Sequence, residues 1–451
     1  MLGMKSRVLW RECVRRKTDL RLWLGLLLLF ALCQYGLRGT GRALSASGDF
    51  AAPYAATRVF WQRGNPYDQN VLKDELARAQ LPGAKPYDYL TLSFYPPHTF
   101  VLLSPCVMMP WQHARLLMAL SNTLLPLIAV LLFICSQRSR NKCILNRALC
   151  VLTFLLWAPL HTGIALGQLA VVSVSLGFIA IQLASSGHGN VAGIFLATSL
   201  FAKPHVAFLL PLYFVLRRWY RSIWVCVAMV FFVSLFVVAW WRERTVVFLQ
   251  SVLQNYHQES TLGSISPYGR LYWHRIDLAP LWPSGSLIFA AVLGVAVIFL
   301  LFRLFPKSFL MRQDSDRLRS QELGLACICL VSLLVVYHRY YDAYLLLIPL
   351  AHIVLRYDIY RCKRRMWAIC SVAYLPFLVP ISATVFVLGK SIPLLSAAIE
   401  SSVATRLLML HVNISLLLAL GYCLWAFSDS FRTAARKQVP VHQETVPDRR
   451  I

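Results

Sequence analysis

The feature that most constrains this chain is a series of long apolar runs separated by short basic segments. A helix needs about 20 apolar residues to cross the roughly 30 Å hydrocarbon core of a bilayer. Runs of about that size recur between residues 21 and 427, and the segments between them leave no room for a separate soluble domain of about 100 residues. The runs predict an all-α integral membrane protein with a single multi-pass domain over 1–427. A basic cytoplasmic tail over 428–451 is predicted to be disordered.

The number of predicted spans depends on the interval 190–216, which is mostly apolar but is interrupted at Lys203-Pro204. Proline removes a helix donor and a lysine is costly in lipid, so this interval is predicted to be two short helices that meet at the break. The total is then twelve. A segment over 93–111 contains four prolines and is predicted to be a re-entrant or surface-lying element. The other predicted spans are 21–37, 113–135, 147–164, 168–186, 222–241, 285–305, 323–337, 341–356, 366–388 and 403–427.

The charge distribution supports this arrangement. The formal charge of +26, from 45 Lys and Arg against 19 Asp and Glu, would suggest a nucleic-acid partner in a soluble protein. In a membrane protein, Lys and Arg instead accumulate in short cytoplasmic loops. With cytoplasmic termini, twelve spans place 29 of the 45 basic residues inside, so the net charge is +20 inside and +6 outside. A single span over 190–216 would move every later inner segment to the outside, including the 15 basic residues of 303–322, 356–365 and 428–451. We therefore interpret the charge as an orientation signal and expect no nucleic-acid partner.

Two long hydrophilic segments, 38–92 and 242–284, fall on the predicted outer side of the membrane. The first contains two predicted amphipathic helices, over 51–62 and 70–80, that would lie on the membrane face. The predicted inner loops are short. Any chemistry is therefore expected on the extracytoplasmic face, in contact with the lipid bilayer.

Asp49 is the first candidate for chemistry, because it follows the first span in the small-residue run Gly48-Asp49-Phe50. A carboxylate near the membrane surface could act as a general base toward a hydroxyl group. The same pattern is also typical of an ordinary helix start, in which the aspartate is an N-cap.

A second group of candidates lies at the predicted outer junction of two spans. His338 and Asp342 are four residues apart, so helical spacing would let the carboxylate orient the imidazole. Arg339 could bind phosphate with its planar guanidinium. An interfacial belt of tyrosine and arginine would have the same composition.

Further polar residues are predicted on the same outer side. Lys203, at the helix break, would be costly against apolar surroundings without a partner such as phosphate, although its side chain could also extend to the interface. His161 and Gln168 flank a predicted tight turn at 161–163. Tyr95 and His98 enclose two prolines and could form a rigid surface for a sugar or lipid, or simply a turn.

Two other motifs are set aside. Asp314-Ser315-Asp316 fits a D-x-D pattern of metal-dependent nucleotide-sugar enzymes, but its predicted short inner loop offers no domain to hold a nucleotide. His411, in the last span, could suggest a membrane acyltransferase, yet a packed histidine explains it equally simply. We expect no metal and no cofactor.

The order of these elements resembles glycosyltransferase family 87, a branch of the multi-span GT-C class that includes bacterial phosphatidylinositol-mannoside mannosyltransferases. Each motif is short, and it is their order along roughly residues 45–345 that makes the resemblance specific. The matching motifs are Gly48-Asp49-Phe50, Gly64-Asn65-Pro66-Tyr67-Asp68, Tyr95-Pro96-Pro97, Gly167-Gln168, Lys203-Pro204 with Arg217-Arg218-Trp219, and His338 through Asp342.

The resemblance implies an activity and a place in the cell. It implies an enzyme of a bacterial plasma membrane that moves a hexose, with mannose first, or a pentose from a polyprenyl-phosphate donor to a hydroxyl of a glycolipid or glycan on the extracytoplasmic face. It also implies roles for individual residues. Asp49 would be the general base and His338 a second catalytic residue, while Lys203 and Arg339 would bind the donor phosphate. The substrate contacts would come from Tyr95, His98, His161, Gln168 and Asp342.

Other functions stay open from the sequence. A transporter or flippase of a lipid-linked sugar would also span the membrane many times, but it would carry ionisable residues at the bilayer midplane and show pseudo-symmetric halves. An acyltransferase centred on His411 and a noncatalytic scaffold are further alternatives.

Overall fold

The computed structural model describes most of the chain, and every regular element within the described ranges is helical. The described residues are 22–45, 48–79, 93–136, 144–242, 286–309, 314–335, 338–347 and 402–438, with a few between 246 and 255, Ile276 and Phe377. The predicted span 366–388 and most of the predicted outer loop 242–284 lie outside them, as do residues 1–21 and 80–92.

The helices follow the apolar runs. The first half of the described chain consists of α1 (Leu22–Ser45), α2 (Gly48–Trp61), α3 (Gln69–Arg78), α4 (Pro97–Leu102), α5 (Ser104–Val107), α6 (Trp111–Ser136), α7 (Ile144–Leu155), α8 (Ala158–Leu166) and α9 (Leu169–Ser185). The second half consists of α10 (Gly189–Ala202), α11 (Pro204–Ala207), α12 (Leu210–Leu216), α13 (Tyr220–Trp241), α14 (Ser286–Ser308), α15 (Asp314–Val335), a 3-10 helix (Tyr340–Leu346) and α16 (Ser402–Gln438).

Several of these helices are suited to a bilayer. Among the described residues, four helices are long and apolar enough to cross a membrane, namely α1, α6, α13 and most of α16. The pair α7 and α8 would make a fifth if it forms one bent span. The large apolar side chains Trp224 and Phe232 on α13 are largely exposed, as expected for a helix that faces lipid. The chain is therefore an all-α membrane protein, and the total of twelve spans stays a prediction.

The centre of the bundle is held by small residues and serines. The helices α9 and α10 pack against each other, where Ser173 Oγ donates to the Ser199 carbonyl at 2.8 Å and Ser199 Oγ donates to the Ser173 carbonyl at 2.7 Å. A Cβ atom on Gly177 would lie 2.5 Å from Leu210 Cδ1 and 3.3 Å from Ser199 Oγ, so a larger residue here would force these side chains to shift. In a membrane, where lipid is as apolar as leucine, such close packing and reciprocal hydrogen bonds hold helices together.

A second core lies in the segments predicted as the first outer loop, 38–92, and as the proline-interrupted element 93–111, and it packs against α9, α10 and α13. Helices α2 to α5 pack around buried aromatic rings that include Phe50, Tyr54, Phe60 and Phe100, and the Phe60 ring also contacts Trp241 at the end of α13. Helices α2 and α3 match the two amphipathic helices predicted over 51–62 and 70–80. The aromatic core fixes the beginning of α2, which carries Asp49, against the ends of the spans.

Two sequence predictions need correction. The predicted turn at 161–163 is helical, since it lies within α8, which follows α7 after a bend of 44°. The chain reverses instead at Gly167, whose φ of 71° is a left-handed conformation suited to glycine. Finally, α16 continues to Gln438, so the part of the predicted disordered tail up to that residue is helical.

Candidate active site

The break between α10 and α11 brings a charged side chain into the bundle. Helix α10 ends at Ala202, and Lys203 adopts an extended backbone conformation before Pro204 begins α11. The side chain of Lys203 is buried, with 6% exposed, and its Nζ donates to Asp342 Oδ1 at 2.8 Å. It also lies 4.7 Å from the centroid of the Tyr341 ring. The interruption predicted from sequence is therefore present, and a carboxylate offsets the cost of burying the lysine.

Asp342 organises the segment between α15 and the 3-10 helix. Its Oδ2 accepts from His338 Nδ1 at 3.2 Å and from the Arg339 backbone N–H at 3.0 Å, while its own N–H donates to the Arg339 carbonyl at 2.8 Å. The predicted contact between His338 and Asp342 is therefore observed. With only 1% of its surface exposed, Asp342 acts as a buried connector between the lysine, the imidazole and the backbone.

A second histidine, His205, belongs to this group and was missed by the sequence reasoning. The centroid of its ring lies 5.4 Å from that of His338. The metal-binding atoms of His205, His338 and Asp342 all lie within 4.8 Å of one another, so these residues could hold a divalent cation. The Lys203 ammonium already balances the charge of Asp342, however, and would repel such a cation. The geometry favours an ion pair over a metal site. The signal that could have found His205 is its position directly after the buried Lys203-Pro204 break.

Asp49 has different partners. It lies in the first turn of α2, where the helix dipole favours a negative charge, and its Oδ2 accepts a hydrogen bond from Gln168 Nε2. Gln168 is buried, whereas Asp49 is half-buried. The carboxylate therefore contacts an uncharged amide on its inner side and is accessible on the other.

The electrostatic surroundings connect Asp49 to the second group. Burial raises the pKa of the Asp49 carboxyl above its usual range, while Arg339, the Gln168 hydrogen bond and Lys203 oppose that rise. Tyr95 lies within electrostatic reach of Asp49, Asp342 and Arg339. We call the following residues the polar cluster: Asp49, Tyr95, Gln168, Lys203, His205, His338, Arg339 and Asp342.

Two further residues singled out from the sequence have contacts of their own. His98 Nε2 lies 2.8 Å from Ser234 Oγ, and the His98 ring stacks on Phe201. His161 Nε2 lies 2.6 Å from the Leu155 carbonyl, and its ring meets Tyr35 edge-on. These contacts tie His98 to α13 and His161 to the bend between α7 and α8.

The polar cluster combines the parts that a group transfer near a membrane surface needs. A carboxylate with a raised pKa can accept a proton near neutral pH, and cationic side chains beside it can stabilise a negatively charged leaving group. The residues of the polar cluster come from five separate parts of the chain, at or near the ends of helices that are themselves packed in the bundle or the aromatic core.

Comparison with known proteins identifies the class of enzyme. The sequence model of glycosyltransferase family 87 matches residues 94–335. The match includes Tyr95, Gln168 and Lys203; Asp49 precedes it, and the segment from His338 follows it. None of the curated proteins matches the chain.

Proposed function

The chain belongs to glycosyltransferase family 87, and from this membership we propose that it moves a sugar from a polyprenyl-phosphate donor to a hydroxyl of a glycolipid or glycan. The proposed sugar is a hexose, with mannose first, or a pentose, and the proposed side is the extracytoplasmic face of a bacterial plasma membrane. A lipid-linked donor suits this chain because the lipid part of such a donor lies in the bilayer. The sugar phosphate can then reach the polar cluster from the membrane.

The observation that carries this proposal is the half-buried Asp49, with a raised pKa, within electrostatic reach of Arg339 and Lys203. Asp49 takes the proton of the acceptor hydroxyl, and the hydroxyl oxygen then attacks the anomeric carbon. The bond between that carbon and the phosphate oxygen breaks, and its electron pair leaves with the phosphate. Attack from the face opposite the phosphate inverts the anomeric configuration, as in inverting glycoside chemistry.

The departing phosphate would be stabilised from the side of Arg339. As a residue Arg339 is only partly buried, and we assign its guanidinium to direct contact with phosphate oxygens. Lys203 is paired with Asp342, so in this proposal its positive charge stabilises the phosphate without direct contact. His338 is fully buried and its Nδ1 donates to Asp342, so in this proposal it supports Asp342 rather than contacting the phosphate.

The proposed substrate contacts are fewer than the sequence suggested. Tyr95 is kept, because it lies near Asp49 and Arg339 and offers an aromatic ring to the sugar. Gln168 contacts Asp49, and Asp342 is enclosed by protein partners. We leave His98 and His161 out of the proposed site, because their ring nitrogens already lie within hydrogen-bond distance of Ser234 and Leu155.

Transfer by the purified protein in nanodiscs tests the proposal, with a panel of radiolabelled polyprenyl-phosphate sugars as donors and a membrane lipid extract as acceptor. Wild type should label the extract, and Asp49→Asn should not. The matched control is Asp68→Asn, because Asp68 is an exposed N-cap of α3 and asparagine caps a helix equally well. Full activity of Asp49→Asn would remove Asp49 as the base.

The rival function gives a different result in the same preparation. If no donor supports transfer but labelled lipid crosses the membrane of proteoliposomes in a protein-dependent way, the chain is a transporter of lipid-linked sugar. The proposed side of the membrane is tested separately by cysteine labelling. Arg270→Cys should react with an impermeant maleimide from outside, and Arg140→Cys should react only after permeabilisation.

A further inference from the structure

We propose that Gln168 is a positioning residue for Asp49: its amide holds Oδ2 of the carboxylate, so that Oδ1 is the oxygen that receives the proton of the acceptor hydroxyl. This inference rests on the proposed function and deepens it, because it assigns separate tasks to the two oxygens of the base. The hydrogen bond from Gln168 Nε2 to Asp49 Oδ2 joins residues 119 positions apart in the sequence.

The backbone of Gln168 is held rigidly between two helices. Gly167 ends α8 in a left-handed conformation, with φ of 71°, and the Gln168 N–H donates to the Gly163 carbonyl at 2.9 Å. Gln168 is then the N-cap residue of α9, and its carbonyl accepts from Val171 N–H at 3.2 Å. The N–H and the carbonyl of Gln168 are therefore both hydrogen-bonded at helix ends, which fixes the position from which its side chain extends.

The chemistry of the two groups decides how the amide is oriented. An ionised carboxylate has only acceptors, so it requires the NH₂ end of the amide. The opposite end, Oε1, is then buried and has no hydrogen-bond partner within the described part of the structure. Such an unsatisfied buried oxygen is costly, and an apolar side chain of similar size would avoid the cost. The hydrogen bond to Asp49 is the contact that explains an amide at this position.

A neutral donor also suits a base better than a cation would. A lysine or arginine in direct contact would stabilise the ionised carboxylate strongly and make it a poor proton acceptor. The amide orients the carboxylate without adding charge. Because Gln168 occupies the buried side of Asp49, the partly exposed side is left for the substrate hydroxyl, whose O–H bond breaks as the new Oδ1–H bond forms.

The test compares Gln168→Leu and Gln168→Glu with wild type and with Gln182→Leu, a control on the same helix α9. We expect kcat of Gln168→Leu to fall roughly 100-fold, as for other small displacements of a reacting group, with the KM for donor and acceptor within about twofold. Gln182→Leu should keep wild-type kinetics. Glutamate has the shape of glutamine but repels Asp49 once ionised, so Gln168→Glu should lose activity increasingly as the pH rises.

A second measurement does not depend on catalysis. Dicyclohexylcarbodiimide reacts with protonated carboxyl groups, and peptide mass spectrometry reports its adduct on Asp49 as a function of pH. The hydrogen bond from Gln168 stabilises the ionised form, so the labelling midpoint of Gln168→Leu should move to higher pH than in wild type.

The outcomes separate this inference from the proposed function. A wild-type protein that transfers no sugar, with a labelling midpoint that still depends on Gln168, would overturn the proposed function and support the contact. Wild-type kcat and an unchanged midpoint in Gln168→Leu would overturn the inference alone. A loss of kcat with an unchanged midpoint and a lowered Tm would also overturn it, because that combination indicates a merely structural role.

Discussion

Two aspartates occupy the same polar cluster in contrasting surroundings. Asp342 is almost fully buried and contacts the Lys203 ammonium, the His338 ring and a backbone N–H. Asp49 is half-buried, and its hydrogen bond comes from the neutral Gln168 amide. The difference shows that, even within one site, the basicity of a carboxylate depends on the groups that contact it. A direct cation keeps one ionised as a structural connector, whereas burial beside an amide leaves the other basic enough to accept a proton.

The contrast between Asp342 and Asp49 is tested most directly by removing each carboxylate in turn. Asp342→Ala leaves Lys203 buried without its partner, which should cost on the order of 3–5 kcal/mol and lower the yield and Tm. Asp49→Asn should keep the wild-type Tm but lose roughly 10³-fold in kcat. Thermal unfolding in detergent and the transfer assay measure the two effects.

A rescue variant controls for the ion pair itself. Because a well-packed apolar pair often replaces a buried ion pair without loss, Lys203→Met combined with Asp342→Leu should recover most of the Tm that Asp342→Ala loses. Equal Tm values for Asp342→Ala and Asp49→Asn would mean that the two aspartates do not differ as described.

The pH dependence of transfer tests the role of Asp49 as the general base. Burial raises the pKa of Asp49, and a general base must be ionised, so kcat/KM should rise with pH through a midpoint above the ordinary aspartate value. The nearby Arg339 opposes that rise, so Arg339→Gln should move the midpoint to still higher pH. A rate profile from about pH 4 to 8.5 measures both midpoints. An acid limb at the ordinary aspartate value would contradict a desolvated base.

A smaller effect on transfer is expected when Arg339 is replaced by a residue that keeps its charge but not its planar geometry. Arg339→Lys retains one positive charge but lacks the planar fork that holds two phosphate oxygens. We expect the KM for the lipid-phosphate donor to rise about tenfold, equivalent to roughly 1.4 kcal/mol, with little change in the KM for the acceptor. An equal rise in both KM values would place Arg339 away from the donor phosphate.

The smallest predicted effect concerns the backbone that holds Gln168. Gly167→Ala puts a side chain on a left-handed residue, at a cost of about 1 kcal/mol, and shifts the Gln168 amide slightly away from Asp49. We expect a loss of kcat of a few fold and a small decrease in Tm. Gly25→Ala is the control, because a Cβ atom at Gly25 meets no atom within 4 Å. If both variants behave alike, the conformation of Gly167 is not what positions Gln168.

Much of the fold could be predicted from sequence, because it follows from local rules. Within the described residues, the long apolar runs form helices, and charge counting along the sequence supports the helix break at Lys203-Pro204. The contact between His338 and Asp342 is predicted from helical spacing, but it forms because Asp342 caps the start of the 3-10 helix, and His338 lies before that helix. The predicted turn at 161–163 was wrong because Gly167, four residues later, offers the better helix end.

The sequence by itself determined that the chain is a helical membrane protein, and it predicted most residues of the polar cluster as candidates for chemistry, because the cost of polar groups in lipid acts on each segment separately. Only the tertiary structure decided which of those residues meet. Lys203 pairs with Asp342 across 139 positions and Gln168 with Asp49 across 119, and these distances are closed by helix packing rather than by local preference. The distinction between a neutralised and a basic aspartate therefore arises in three dimensions, since the effective basicity of a carboxylate depends on the neighbours that packing brings to it.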